Sequence, residues 1–274
     1  MNLTLNPIWI VMQKEAATSL RSRMAVATLV ITTLVFTLLP IGLIVATNLL
    51  PAAALTKQNG LSDANLQSLR ALYPALVGLP KNQVIQGLLV SGMQPLFLLI
   101  PLLTPLTLAV YSIIGEKQTR SLEALLATPI TTRDLLLGKC LAAALPGVIA
   151  AWVSYALFLL AAVALVPPAI FTQLLLQPAW LLALALVVPA AAAAAVLVGL
   201  IVSARASDPQ AAQQLGSLIV LPVIGLLLGQ VTGVVRLSIP ITLLAVALIL
   251  AADAGLLLAA VRLFGRETIL TRWK

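Results

Sequence analysis

Six stretches of this chain run for about 20 residues or more with almost no charge, the length a helix needs to cross the hydrocarbon core of a bilayer. They are placed at Met24 to Leu50, Gly87 to Ile114, Cys140 to Val166, Pro178 to Val202, Leu215 to Val235 and Ile239 to Leu263. Backbone polar groups in lipid must be satisfied within the segment or by a closed barrel. Uninterrupted apolar runs of this length therefore predict an all-α membrane protein with six transmembrane helices. Composition agrees: 61% of residues are hydrophobic and 9% charged, far from ordinary soluble usage.

An even number of spans puts both termini on one side, and lysine and arginine decide which side. Twelve of the basic residues fall on the face carrying the termini and the second-to-third and fourth-to-fifth connections, against four on the other face: Lys57, Arg70, Lys81 and Arg236. The basic face is the cytoplasmic one. The net charge of +8 follows from this asymmetry. No basic patch with interleaved aromatics is present, so nucleic acid is not an expected partner. One cysteine, Cys140, removes an intrachain disulfide and Cys-cluster metal sites, and the absence of histidine removes zinc-protease signatures, Ser-His dyads and histidine proton relays. No metal site and no catalytic residue are expected.

Residues 1–23 read as an interfacial helix. Asn6-Pro7 forms an N-cap and first position, and Ile8, Trp9, Met12, Ala16 and Leu20 recur at helical spacing with Lys14, Glu15, Arg21 and Arg23 around them. The first two spans lie within 24–114, with an outer connection over 51–86. Residues 140–264 hold spans three to six, and 265–274 form a cytoplasmic tail.

Between spans two and three, residues 115–139 (GEKQTRSLEALLATPITTRDLLLGK) form the longest charged and patterned run. Glu116 and Arg120 are four apart and Arg120 and Glu123 three apart, giving a compensated helical face. Leu122, Leu125 and Leu126 share another face. Pro129 turns Thr128 away from helix, and Thr131 with Asp134 has the shape of a capping box opening the next helix. An amphipathic hairpin here is a docking surface for a soluble partner.

Within the spans, Gly225, Gly229 and Gly233 form a stripe suited to close helix packing, with a neighbour from the same chain or from a second copy. The run Ala190 to Ala195 reads as packing within the chain. Pro95, Pro101 and Pro105 interrupt the second span, where Thr104, Thr107 and Tyr111 share a face. They either line a path or satisfy carbonyls freed by the prolines. Asp253 is an acid deep in the last span, functional or simply hydrogen-bonded in protonated form, and Gln230 is a further polar candidate.

The run EKQTRSLEALLATPITTRDLLLGK resembles the cytoplasmic signature of permease subunits of ATP-binding-cassette exporters of the second type. KEAATSLRSR, SARASDPQAAQQLGSLIVLP and RLFGRETIL resemble that family's interfacial helix, fourth-to-fifth connection and C-terminal tail. Ser121 stands where threonine is common. The resemblance spans essentially the whole chain, read as a single permease domain over 1–274. It implies a cytoplasmic coupling helix within 115–139, with Glu116, Lys117, Arg120, Leu122, Glu123, Leu125, Leu126, Thr128 and Pro129 serving a separate ATPase. It also implies two ATPase copies, a second permease copy or paralogue, and a substrate path near Thr104, Thr107, Tyr111, Gln230 and Asp253. The expected setting is the plasma membrane, with both termini cytoplasmic. ATP and magnesium are expected on the partner, because this chain has no GxxxxGK[ST] loop. The rival class is a secondary transporter driven by an ion gradient, for which internal repeats and paired midplane charges are the signature. No convincing repeat is visible, and Asp253 stands alone.

Overall fold

A computed structural model describes residues 7–49, 77–119, 130–206, 208–231 and 237–264, together with the single residues 67 and 235. Among them are helices and no strands, and six helices are long and apolar enough to cross a membrane. A leading helix α1, Pro7–Arg21, precedes them. The spans are α2 (Arg23–Leu49), α3 (Lys81–Gln118), α4 (Thr132–Leu165), α5 (Pro178–Arg205), α6 (Pro209–Gln230) and α7 (Ile239–Leu263). Four of these extend beyond the expected limits at the ends joined by the charged connections: α3 continues to Gln118, α4 begins at Thr132, α5 runs to Arg205 and α6 begins at Pro209. Charge after the apolar run does not end a helix whose backbone bonds are already propagating. The stretch expected as an outer connection over 51–86 is shorter, since helix begins at Lys81; most of the remainder lies outside the described residues.

Helix α3 is the axis of the bundle. Of its most apolar window 83% is buried, against 17% for α2, 11% for α6 and 6% for α7. It is assembled in pieces: α-helix over Lys81–Gly92, a 3-10 stretch over Gln94–Leu99, then α-helix over Ile100–Gln118. The 3-10 stretch lies between Pro95 and Pro101, which remove backbone donors, while the helix runs on through Pro105. Small residues let neighbours approach this axis. A Cβ added at Gly147 of α4 would stand 2.5 Å from Pro105 Cγ, and one at Gly199 of α5 would stand 3.1 Å from the Leu106 carbonyl oxygen. Most of the alanines over 190–195 are buried, as expected for packing within the chain.

The end of the bundle away from Gln118 and Thr132 is closed by side-chain bonds to carbonyls. Tyr155 of α4 donates to Leu175 O at 2.6 Å, and Gln94 Nε2 reaches Tyr155 Oη at 3.0 Å and Leu175 O at 3.2 Å. Leu175 ends a π-helical stretch over Phe171–Leu175, where the regular ladder leaves acceptors available. Phe97 and Phe158 pack beside Tyr155, with ring centroids 5.2 Å and 5.8 Å from it.

Candidate functional site

The ends of α3 and α4 that flank residues 120–129 are tied into a buried charge cluster with α1. Lys139 Nζ of α4 lies 2.7 Å from Glu116 Oε1 of α3 and 3.1 Å from Glu15 Oε1 of α1, and it donates to Ser112 Oγ at 2.9 Å. The Ser112 hydroxyl donates in turn to Glu15 Oε2 at 2.9 Å. Lys14 Nζ stands 3.1 Å from Glu15 Oε1 and 3.6 Å from Glu116 Oε1. The Lys139 side chain is 2% exposed and that of Lys14 52%, so only one of the two cations is committed to the interior. Two carboxylates and two ammonium groups make the cluster neutral, the condition under which buried charges are tolerated.

Local sequence explains how three helices meet there. A Cβ added at Gly138 would stand 2.7 Å from Val11 Cβ and 3.0 Å from Ile8 O. The glycine lets the α1 backbone lie directly against α4. Glu15 follows Val11 by four residues and shares its face of α1, so docking at Gly138 delivers the carboxylate to the next residue, Lys139. Burial by itself pushes the Glu15 carboxyl up, but the ammonium groups of Lys139 and Lys14 together outweigh it and hold the carboxyl below its ordinary range.

Lys117, next to Glu116, points the other way. Its Nζ donates to Ser203 O at 2.6 Å, Ala204 O at 2.7 Å and Ala206 O at 3.1 Å. These carbonyls end α5, where a helix leaves acceptors unpaired and favours a cation. Across the gap, Thr131 caps α4 by accepting from the Asp134 amide at 3.1 Å. The Asp134 carboxylate accepts from the Thr131 hydroxyl at 2.6 Å, where a full capping box would have it accept from the Thr131 backbone amide. Both stems of 120–129 are therefore fixed to the bundle.

Of the residues expected to serve an ATPase, Glu116 and Lys117 lie in these anchors. Arg120, Leu122, Glu123, Leu125, Leu126, Thr128 and Pro129 lie outside the described residues. Glu15, Ser112 and Lys139 were not singled out from the sequence as a site. The available signal was an acid on the inward face of α1, four residues after Val11, and a lysine placed directly after a glycine.

The expected pathway residues are dispersed. Thr104 is fully buried with its hydroxyl unpartnered, and Thr107 is buried, donating to Leu103 O at 2.9 Å and accepting from Gln213 Nε2 of α6 at 2.8 Å. Leu103 O is not the carbonyl that Pro105 frees, which belongs to Pro101 four residues back. Tyr111, Gln230 and Asp253 are partly exposed, and Asp253 Oδ1 is enclosed without a hydrogen-bond partner. In the glycine stripe, Gly225 faces open space, while a Cβ at Gly229 would meet Val235 of its own chain at 2.6 Å. Gly233 lies outside the described residues, as do Asn6 and the tail over 265–274. On helix α1, Ile8, Met12 and Ala16 of the expected apolar face are half-buried. Val11 and Glu15 are buried, whereas Trp9 and Ile10 face outward at 50% and 46% exposure.

Comparison with known families gives a match to the model described as ABC-2 family transporter protein over residues 9–188. That range runs from Trp9 of α1 into α5 and contains every member of the charge cluster. No curated protein matches the chain.

Proposed function

The chain belongs to the ABC-2 family of transporter proteins, and from that premise we propose that it exports a substrate from the cytoplasm by alternating access, driven by a separate ATPase subunit. It is a multi-pass membrane permease of an ABC transporter; direction, coupling and stoichiometry belong to the proposal. Two permease copies, or one with a paralogue, would sit on two ATPase copies at the plasma membrane, with both termini cytoplasmic. ATP and magnesium are held by those partners.

The observation that carries this reading is the doubly anchored frame around residues 120–129. Glu116 is held to α1 and α4 through Lys139, and Lys117 is held to the end of α5. A push on the intervening segment by a closing ATPase pair would then act on α1, α3, α4 and α5 together. Rigid-body tilting of packed helices is an established way of switching access. The open face at Gly225 supports a neighbour supplied from outside the chain.

The test is coexpression with an ABC ATPase, followed by copurification and measurement of ATP turnover. Glu123→Lys should dissociate or uncouple the ATPase while the permease still inserts. Lys117→Met should keep the ATPase bound but weaken the dependence of turnover on the permease. Unchanged association and turnover in both variants would overturn the reading.

A further inference from the structure

The face between α1, α2 and α4 carries an open groove of about 500 Å³. Its walls are Met12 and Ala16 of α1, Val30 and Leu34 of α2, and Leu145 and Ile149 of α4. It continues into a smaller recess of about 60 Å³, lined by Ser19 and Val26 among others, in the angle where α1 meets α2. Thr33 also borders the groove, but its hydroxyl is spent on Leu29 O at 2.6 Å. The slot therefore offers apolar contact and no free polar anchor along its length.

Charge gathers at its closed end. The chain bends at Ser22 between Arg21 and Arg23, both exposed. Val26 and Val30 follow Arg23 by three and seven residues, so Arg23 rises from the same face of α2 that lines the groove. The salt bridges among the described residues involve neither arginine. Arg21, nine residues after Met12, lies on the opposite side of α1, so Arg23 is the cation at this rim. An apolar slot topped by a guanidinium group matches one amphiphile, an acyl chain under an anionic headgroup. A second copy of the chain would bring the same arginine to the same rim and meet like-charge repulsion.

We propose that this groove holds an acyl chain of an anionic phospholipid from the cytoplasmic leaflet, with its phosphate on Arg23. The bound lipid fills the angle between α1 and α2 and braces α1 against α4 beside Gly138 and Lys139. Lipid retention can be read without any ATPase, so this proposal and the coupling mechanism fail separately.

The experiment uses the purified permease exchanged into nanodiscs of equal phosphatidylglycerol and phosphatidylcholine, released in mild detergent and weighed by native mass spectrometry. One phosphatidylglycerol per chain should be retained in preference to phosphatidylcholine. An arginine near a membrane surface contributes about 1 kcal/mol towards anionic lipid, so Arg23→Gln should lower that preference about fivefold and Arg21→Gln, on the opposite side of α1, by less. Val30→Trp, which fills the slot, should expel both lipids alike with helical content unchanged. Equal retention of the two lipids by the unaltered protein would overturn the proposal, as would retention indifferent to all three variants. Efficient disulfide cross-linking of two chains through Val153→Cys would overturn it too, assigning the groove to a second copy.

Discussion

Replacing Lys139 with methionine removes the cation that joins three helices and leaves its aliphatic length in place. At an effective dielectric of about 20, charges separated by 2.7 Å and 3.1 Å attract by about 6 and about 5 kcal/mol. Desolvating each ion costs several kcal/mol, and the two carboxylates repel each other, so the intact cluster contributes little net stability. Its disruption is another matter. Without Lys139, Glu15 and Glu116 keep only Lys14, more than half exposed and 3.6 Å from Glu116. Breaking a buried pair by removing one partner costs about 3–5 kcal/mol. At about 2–4 °C per kcal/mol for chains near this size, that is on the order of 10 °C in thermal midpoint. Thermal unfolding of the detergent-purified protein, followed by tryptophan fluorescence, reads the loss. The triple variant Lys139→Met, Glu15→Gln, Glu116→Gln leaves only the half-exposed Lys14 charged, with no buried charge unpaired, and should regain more than half of it. A single variant within about 2 °C of the unaltered protein would refute the reasoning, and so would a triple variant no more stable than the single.

The remaining predictions concern the same helices. Because the Glu15 carboxyl is held below its ordinary range, its stabilisation is complete above the unfolded glutamate value and is lost only as pH falls through the depressed one. Protection against hydrogen exchange over residues 7–21, taken relative to the unstructured-peptide rate at each pH, should therefore stay constant from about pH 8 to pH 5 and fall below about pH 4; a fall already between pH 7 and pH 6 would contradict this. Gly147→Ala places a Cβ 2.5 Å from the rigid Pro105 ring and should destabilise by about 1–3 kcal/mol. Adding Pro105→Ala should recover part of that loss in the same unfolding assay, and an additive double variant would show that the two residues do not meet.

How much of this was legible beforehand depends on the range of the interaction. Span number and position follow from local hydropathy, and the described helices reproduce them. The Pro-interrupted second span follows as well, because Pro95, Pro101 and Pro105 act on their own backbone. The charge cluster was not legible, because Glu15, Ser112 and Lys139 are separated by 97 and 27 residues along the bonded pairs. Periodicity places Glu15 on a helix, but which face turns inward is settled by Gly138 on a different one. Within 115–139 the sequence could assign helix, break and helix. It could not separate residues that bond inside the bundle from residues free to meet a partner.

That separation changes the meaning of the signature. Its leading Glu-Lys and its closing Gly-Lys are both bound within the permease: Glu116 to Lys139, Lys117 to the carbonyls of α5, and Gly138 against Val11. These four residues set the position of whatever lies between them. A charge reversal at Glu116 would add a third cation beside Lys139 and Lys14 and leave Glu15 as the only acid, so its first effect is on helix docking. Glu123 lies outside the described residues, and its reversal is expected to act on the partner surface. If the two variants lose ATPase coupling together, only Glu116→Lys should also lower the thermal midpoint of the isolated permease. Under the proposed coupling, this segment would have two requirements, a frame that holds still relative to α1, α3, α4 and α5 and a surface for the partner, assigned to different residues of one short run.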